Sequence, residues 1–316
     1  MVFIKESQLL TWLLAFSTAV KCQSQIPARV LIYTLSLGYV HDSTPTAVQV
    51  LKERGSSINV NFEDTEDPNA FSDENLARYD GLLFLNTVGE VLQPSGKTAF
   101  QKYLNLGGNF AGIHYATGCL ENDTFYEKTI GAYFDYHPPG VLNATVNVLD
   151  QSHPSTNMLP AQWKIQDEMY NFKSDPRDIG ATVILSADES SYIDDGERKY
   201  DQGTPHPTAW YQERIAAVES GGTPGRSFYT SLGHSTETWH PGRLSSDRAN
   251  AASLQDDLFM GHVLGGIQWA LMANTTRAFN PNAAVGATSS ATTATAPSST
   301  IALALVLVVT VIVSFS

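Results

Sequence analysis

The chain has 316 residues, and its 32 acidic and 19 basic side chains give a formal net charge of −13. No cluster of lysine and arginine is present, which argues against nucleic acid or anionic lipid as its main partner. Its two cysteines provide no disulfide framework, and a core of this size needs none. A neutral ligand such as a sugar suits the acidic surface better than a polyanion.

The amino-terminal segment has the composition of a secretory signal peptide. Lys5 precedes an apolar run over residues 9–20, which is too short to span a bilayer comfortably. We assign residues 1–22 to the signal peptide and expect cleavage near Cys22 or Ser24. A buried amino-terminal helix is the alternative.

The first strand and helix follow this segment. Residues 29–36 form an apolar run rich in β-formers, which predicts a strand. A helix is predicted over residues 45–54, with Thr44 as its cap and Gly55 as its stop. His41 lies in the loop between them, on the side where doubly wound sheets bind ligands. A solvent-exposed loop histidine without a role is the alternative.

Further strand–helix units are predicted up to residue 113. Strands are expected at 58–62, 80–86 and 110–113, a loop at 63–67, a short helix or turn at 73–79, and a helix from Gln93 to the pair Gly107-Gly108. Successive units with short links form right-handed crossovers, so this half of the chain predicts a parallel sheet.

The stretch of residues 106–118 is predicted to bring His114 to the carboxyl edge of that sheet. An ordinary loop with an incidental histidine is the alternative. His114 occupies the place that a serine or cysteine takes in nucleophile-elbow enzymes, which argues against acyl transfer. Cys119 is expected to be an idle buried thiol. No nucleotide-binding glycine motif follows the first strand.

The second half of the chain is less regular and richer in strands. Strands are predicted at 141–149, 163–169, 181–187 and 226–232 and in the segment that His206-Pro207 opens, with helices at 125–131 and 254–273. The chain is therefore predicted to form an α/β fold with a mostly parallel sheet and an irregular β-rich second half.

The carboxyl-terminal segment has the pattern of a GPI-anchor signal. Small and polar residues at 275–300 precede an apolar tail at 301–316, and such a tail is removed when the anchor is attached. We expect attachment at Ser289, on the outer leaflet at the cell surface, with Ser290 as an equal and Gly286 as a weaker alternative. A retained tail anchor is the alternative, although the tail is shorter than the ~20 residues that a span usually needs.

Three Asn-x-Thr sites agree with a secretory route. They lie at Asn122, Asn143 and Asn274, and each is predicted to be a glycosylation site.

The candidate chemistry rests on histidines. Eight are present, and five of them end strands or lie in turns: His41, His114, His137, His206 and His234. Glu168 is the most prominent carboxylate near them in the sequence. Imidazoles act as general acids and bases or as metal ligands. No H-E-x-x-H or C-x-x-C pair is present, so the sequence leaves open whether distant residues assemble a divalent metal site.

An ordered set of motifs resembles the trehalose-utilisation (ThuA-like) family. The motifs begin at Gly38 (GYVHDS), Gly107 (GGNFAGIH), Gly131 (GAYF), His153 (HPST), Asp167 (DEMY), His206 (HPTAW) and Gly225 (GRSFY). The resemblance covers nearly the whole of the predicted domain, residues 27–274. It implies a flavodoxin-like, doubly wound sheet of the class I glutamine amidotransferase type without the amidotransferase cysteine. The connector at 212–223 is longer than usual, which puts the rim of the site there in doubt.

The resemblance also implies a role in sugar catabolism, including the handling of oxidised (3-keto) glucosides. The recurrent polar positions of the family correspond here to His41, His114, His137, Glu168, His206 and His234.

Two functions follow from these observations. The first is an enzyme that acts on a small carbohydrate through histidine and Glu168 acid–base groups, with or without a divalent metal. Tyr115, Tyr170 and Trp210 could then stack on sugar faces, although core packing is the favoured explanation for Trp210. The second is a surface module that binds glycans without catalysis. We prefer the enzyme, because lectins rarely need so many histidines at strand ends.

Overall fold

A computed structural model of the protein describes residues 26–239 and 252–273. The predicted signal peptide at 1–22, the linker at 275–300 with Ser289, the tail at 301–316 and Asn274 all lie outside the described residues. None of the helices within the described residues combines the length and apolar character needed to cross a membrane.

A nine-stranded mixed sheet forms the centre of the fold. The strands are β1 (Ala28–Tyr33), β2 (Val60–Thr65), β3 (Gly81–Leu85), β4 (Asn109–Ile113), β5 (Phe134–Tyr136), β6 (Leu142–Val148), β7 (Gln162–Asp167), β8 (Asn171–Phe172), β9 (Thr182–Ala187), β10 (Pro207–Gln212) and β11 (Ser227–Thr230). The order in the sheet is β2-β1-β3-β4-β11-β10-β9-β6-β7, and β5 and β8 form a separate ribbon. The first five strands in this order (β2, β1, β3, β4 and β11) run parallel to one another. The remaining four (β10, β9, β6 and β7) each pair antiparallel with their neighbours.

Helices cover both faces of the sheet. They are α1 (Thr44–Arg54), α2 (Asp73–Leu76), α3 (Pro94–Asn105), α4 (Thr124–Ile130) and α5 (Ala252–Leu271). Because side chains alternate along a strand, Val30 and Ile32 of β1 join the apolar cluster beneath α1 and α5, whereas Leu31 and Tyr33 join the cluster beneath α3 and α4. This two-sided covering confirms the predicted α/β fold with a doubly wound parallel half.

The first helix ends at Arg54, as predicted, but it begins one residue earlier than predicted, at Thr44. Ser43, not Thr44, therefore stands at the N-cap, and its side chain makes no capping hydrogen bond. The Thr44 hydroxyl instead accepts a hydrogen bond from the side chain of Asn86. Gly55 does not stop the chain in a left-handed conformation but begins a 3-10 turn that ends at Asn59, with φ +56°. A β-carbon at Gly55 would lie 2.5 Å from the carbonyl oxygen of Val60, so close packing explains this glycine.

The acidic run at 63–67 is also not wholly loop. Strand β2 continues to Thr65, and Glu63 accepts hydrogen bonds from Arg29 Nε (3.0 Å) and from the Tyr79 hydroxyl (2.9 Å). Charged side chains are compatible with a strand here because β2 lies at the edge of the sheet.

The long connector between β10 and β11 lies at the edge opposite to the predicted site. Thr223 pairs with Leu106 in a parallel bridge, and the backbone N–H of Glu219 donates to the Asn105 side chain. Both partners lie at the end of α3, before β4 begins, so this connector does not form the rim of a site at the carboxyl ends of the strands.

Candidate functional site

The carboxyl ends of three strands meet at one edge of the sheet. Ile113 at the end of β4 is paired with Thr230 at the end of β11. Strand β7 also ends at this edge. It is antiparallel to β6, which is antiparallel to β9, so β7 and β9 run in the same direction, and β9 ends beside the start of β10. The residues that follow these strands, among them His114, Glu168 and His234, are therefore close in space.

His114 is fixed at the tip of β4 by its backbone and its ring. Its φ of +54° places it in the left-handed region, and its carbonyl accepts a hydrogen bond from the Tyr229 hydroxyl at 2.8 Å. Ring atom Nδ1 lies 2.7 Å from the carbonyl oxygen of Ser231, which can only accept, so Nδ1 carries the proton. The lone pair of Nε2 consequently faces the Tyr170 hydroxyl at 2.8 Å. Full burial, together with the neighbouring imidazole of His41, holds the pKa of His114 well below its usual range.

Glu168 lies among the imidazoles. Its carboxylate oxygens are 3.2 Å from His234 Nδ1, 3.5 Å from His114 Nε2 and 3.5 Å from His137 Nε2. Burial raises the pKa of Glu168, but the hydrogen bond from His234 and the charge of His137 outweigh it, and the pKa lies below its ordinary value. The same hydrogen bond raises the pKa of His234. At neutral pH the site therefore contains an ionised carboxylate beside His234.

Asp167 positions this pair and was not predicted as a site residue. Its buried carboxylate accepts backbone hydrogen bonds from Gly233 (2.8 Å), Glu168 (2.8 Å) and His234 (3.2 Å). Burial raises the pKa of Asp167 to about 6, although these N–H groups act in the opposite direction. Asp167 thus ties the loop after β11 to the end of β7. The only sequence signal for it is its place at the head of the motif that contains Glu168.

His41 completes a group of three imidazoles. Its ring centroid lies 4.9 Å from that of His114 and 5.6 Å from that of His234. Burial and the charge of His234 lower the pKa of His41 to about 4, so this imidazole is neutral at neutral pH. One ligand atom from each of the three side chains lies within 4.8 Å of the other two, so within the described part of the chain these three residues could hold a metal ion.

His137 and His206 have different environments. His137 Nδ1 contacts the carbonyl oxygen of Pro138 at 2.7 Å, which leaves Nε2 directed to Glu168, and the side chain is 26% exposed. His206 is not brought into the cluster. Its Nε2 donates to the carbonyl oxygen of Tyr170 at 2.8 Å, and its Nδ1 faces Glu189 at 2.9 Å. His206 therefore supports Tyr170 from behind.

The three aromatic residues predicted to stack on sugars also have different environments. Trp210 is fully buried between Phe172 and Tyr229, and its indole N–H donates to the carbonyl oxygen of Ile130 at 2.7 Å. Core packing thus accounts for it. Tyr170 is buried with its hydroxyl on His114, whereas Tyr115 is half-buried 5.5 Å from the His41 ring.

Tyr39 is an aromatic residue at the site that the sequence reasoning missed. Its side chain is 63% exposed, and its ring meets the edge of His41 at a centroid distance of 4.7 Å. Leu37 and Val40 in the same loop are also exposed. The signal was present in the sequence, because Tyr39 stands two residues before His41 in the first motif.

Comparison with known proteins gives one family and one fold. The model of the ThuA family, described as trehalose utilisation, matches residues 29–246. A ThuA-like protein from Bacteroides uniformis has a similar crystal structure, with a TM-score of 0.56 and 18% sequence identity over 78% of this chain and 92% of that chain. A ThuA-like protein from Parabacteroides merdae gives a TM-score of 0.53 and 18% identity over 78% and 90%. At these identities the likeness shows the fold alone. No curated protein matches the chain.

Proposed function

The chain belongs to the ThuA family, and we propose that it is an enzyme that acts on carbohydrate by general acid–base catalysis. The observation that carries the proposal is the position of the Glu168 carboxylate, 3.5 Å from His137 Nε2 and in contact with two further imidazoles at the carboxyl edge of the sheet. Glu168 and the partly exposed His137 are the groups that would exchange protons with the substrate. The family description, trehalose utilisation, supports a carbohydrate as the substrate class.

The number of free carboxylates at the site favours a keto-sugar over an ordinary glycoside as the substrate. Glycosidases commonly use two free carboxylates on opposite sides of the scissile bond. Among the described residues, Glu168 is the carboxylate in contact with these imidazoles, and the oxygens of Asp167 are occupied by three backbone N–H groups. A carbonyl in the substrate makes the neighbouring C–H acidic, so a single carboxylate can remove that proton. The electron pair of the C–H bond then forms a C=C bond as the C–O bond on the next carbon breaks, and an imidazole protonates the leaving oxygen.

Exposed aromatic residues support sugar binding at the same place. Tyr39 and Tyr115 both contact the ring of His41, from the exposed rim and from the half-buried wall respectively. Apolar ring faces next to a few convergent polar groups are typical of small-molecule sites. They would orient a sugar so that its reacting carbon faces Glu168.

The test is product formation by the purified protein. Glucosides, including trehalose, and their 3-keto derivatives are incubated with the protein and with the variants Glu168→Gln and Glu121→Gln, and products are detected by mass spectrometry. Glu121 pairs with Lys173 on the surface and serves as the matched control. We expect Glu168→Gln to lose about 10²- to 10⁴-fold in turnover and Glu121→Gln to lose none. Full turnover in Glu168→Gln would refute the assignment, and binding of a glycan without any product would point to a non-catalytic glycan-binding module.

We also propose that the domain follows the secretory route to the cell surface. The composition of the chain ends supports this, as does the exposure of Asn122 and Asn143, although the Asn122 amide donates a surface hydrogen bond to Glu90 that a glycan would replace. The full chain expressed in eukaryotic cells is expected to lose mass on treatment with an N-glycosidase and to leave the cell surface on treatment with a phospholipase specific for GPI anchors. Retention at the surface after phospholipase treatment would contradict the anchor, and unchanged release by the phospholipase after Ser289 is replaced would contradict attachment at that residue.

A further inference from the structure

We infer that His41, His114 and His234 bind one divalent transition-metal ion, and this inference deepens the proposed function of the same site. The three side chains come from three separate places in the chain: the loop after β1, the tip of β4 and the loop after β11. Their ligand atoms nevertheless lie within 4.8 Å of one another. No pair of them has the short sequence spacing of a metal motif, so only the fold assembles the group.

The spacing of the His114 and His234 donor atoms fits tetrahedral coordination, and the donor atom of His41 lies within 4.8 Å of both. Two nitrogens bound 2.0–2.1 Å from a tetrahedral ion lie about 3.3 Å apart. His114 Nε2 and His234 Nδ1 are 3.3 Å apart. Glu168 places its oxygens 3.2 Å and 3.5 Å from these two nitrogens, which are also distances between neighbouring ligands of one small ion. The metal would displace the proton that His234 Nδ1 donates to Glu168, and the carboxylate would then neutralise part of the charge of the ion.

The surroundings of two of the three imidazoles support the same conclusion. His114 donates from Nδ1 to the carbonyl oxygen of Ser231, which is the outer hydrogen bond that fixes the ring of a metal-bound histidine. His41 Nδ1 is buried and has no hydrogen-bond partner among the described residues. A buried polar atom without a partner calls for a ligand, water or ion that the protein atoms do not supply.

The ligand types select the class of metal. Imidazoles suit Zn²⁺ and its neighbours in the first transition series, whereas Mg²⁺ and Ca²⁺ prefer sites built from oxygen atoms. A zinc-like ion at this place would act as a Lewis acid on the carbonyl of a keto-sugar. The proton transfer that we assign to Glu168 and His137 would then proceed on a substrate whose C–H is further acidified.

The Tyr170 hydroxyl competes with the metal for one ligand atom. It lies 2.8 Å from His114 Nε2, whose lone pair a metal would need. Tyr170→Phe removes this competing donor without removing any imidazole. We therefore expect the variant to bind the metal at least as tightly as the natural protein. If the cluster is instead a hydrogen-bonded network that binds no metal specifically, the variant loses a member of the network and should bind Zn²⁺ more weakly.

The experiment is calorimetric titration of Zn²⁺, with Mg²⁺ as comparison, into chelator-treated protein that has no histidine tag. We expect one Zn²⁺ per chain, no comparable binding of Mg²⁺, and at least 100-fold weaker Zn²⁺ binding in His41→Ala and His234→Ala. His153→Gln is the matched control, since His153 is buried against Tyr211 and Trp269, away from the cluster. Circular dichroism confirms that each variant is folded.

Three outcomes would overturn the inference: no stoichiometric Zn²⁺ binding, equal binding in His234→Ala and the natural protein, or clearly weaker binding in Tyr170→Phe. Because the titration contains no substrate, its result is independent of the proposed enzyme activity. Turnover that persists in the presence of a chelator would show that the reaction does not need the metal and would leave the acid–base function. Stoichiometric binding without any turnover would leave the metal site and remove the proposed function.

Discussion

Replacing His114 with alanine tests whether the ring is held as the structure describes. The substitution removes the donor to the carbonyl oxygen of Ser231 and leaves the Tyr170 hydroxyl without its partner. Both remaining groups are buried. His114→Asn is the informative comparison, because asparagine adopts the left-handed φ of +54° readily and retains a side-chain donor.

The expected loss of stability follows from these contacts. A buried polar group left without a partner costs about 1–3 kcal/mol, so the two orphaned groups together cost about 2–6 kcal/mol in His114→Ala. We expect about 4 kcal/mol for alanine and about half of that for asparagine, which keeps a donor and the backbone conformation.

Urea unfolding measures this difference. The experiment is performed with a chelator present, so that metal binding does not contribute to the folding free energy. With a slope of about 3 kcal/mol per M for a domain of this size, the midpoint of His114→Ala should fall by about 1 M. A midpoint equal to that of the natural protein would show that the ring makes neither hydrogen bond. An asparagine variant less stable than the alanine variant would refute the role given to the backbone conformation.

Three further predictions concern other parts of the molecule. Trp210→Phe should lower the free energy of unfolding by about 2–4 kcal/mol, because the carbonyl oxygen of Ile130 loses its donor in the core, while carbohydrate affinity stays unchanged; unaltered urea stability would contradict this. Tyr39→Ala should weaken carbohydrate binding about 10-fold and leave the melting temperature unchanged, because the ring is mostly exposed; undiminished affinity by calorimetry would exclude it from the site. Burial lowers the pKa of His262 from 6.5 to about 4. Between these pH values the unfolded chain binds a proton that the folded protein excludes, so the free energy of unfolding falls by up to about 3 kcal/mol as the pH drops from 6.5 to 4. The natural protein should therefore melt at a lower temperature at pH 4.5 than at pH 7, and His262→Gln should reduce this difference. An unreduced difference would refute the role of His262 in the pH dependence.

Histidine positions were easier to predict than histidine roles. His41, His114 and His234 each follow a strand of the parallel half, and the ends of such strands meet at one edge whatever the details of packing. His206 precedes β10 at the same edge and has the same local sequence character, yet its ring turns to the backbone of Tyr170 and to Glu189. The direction of a ring depends on contacts with residues far away in the chain, which a local pattern does not contain.

The antiparallel half shows a related limit. Residues 141–149 and 181–187 read correctly as strands, because strand propensity and alternation are local properties. Which strands they pair with is not local, and the order β10-β9-β6-β7 followed only from the structure. The short ribbon of β5 and β8 went unpredicted, since two or three residues carry no periodicity.

The sequence by itself determined the parallel α/β half, the family resemblance and the set of polar residues at the strand ends, because apolar runs, helix signals and ordered motifs are written along the chain. Only the tertiary structure decided that Glu168 meets His114, His137 and His234, that Asp167 fastens them, and that Trp210 and His206 serve as support. The physical reason is that each of these contacts joins residues more than 30 positions apart. Their distances are set by how the sheet is ordered and how its faces pack, and a local sequence pattern fixes neither.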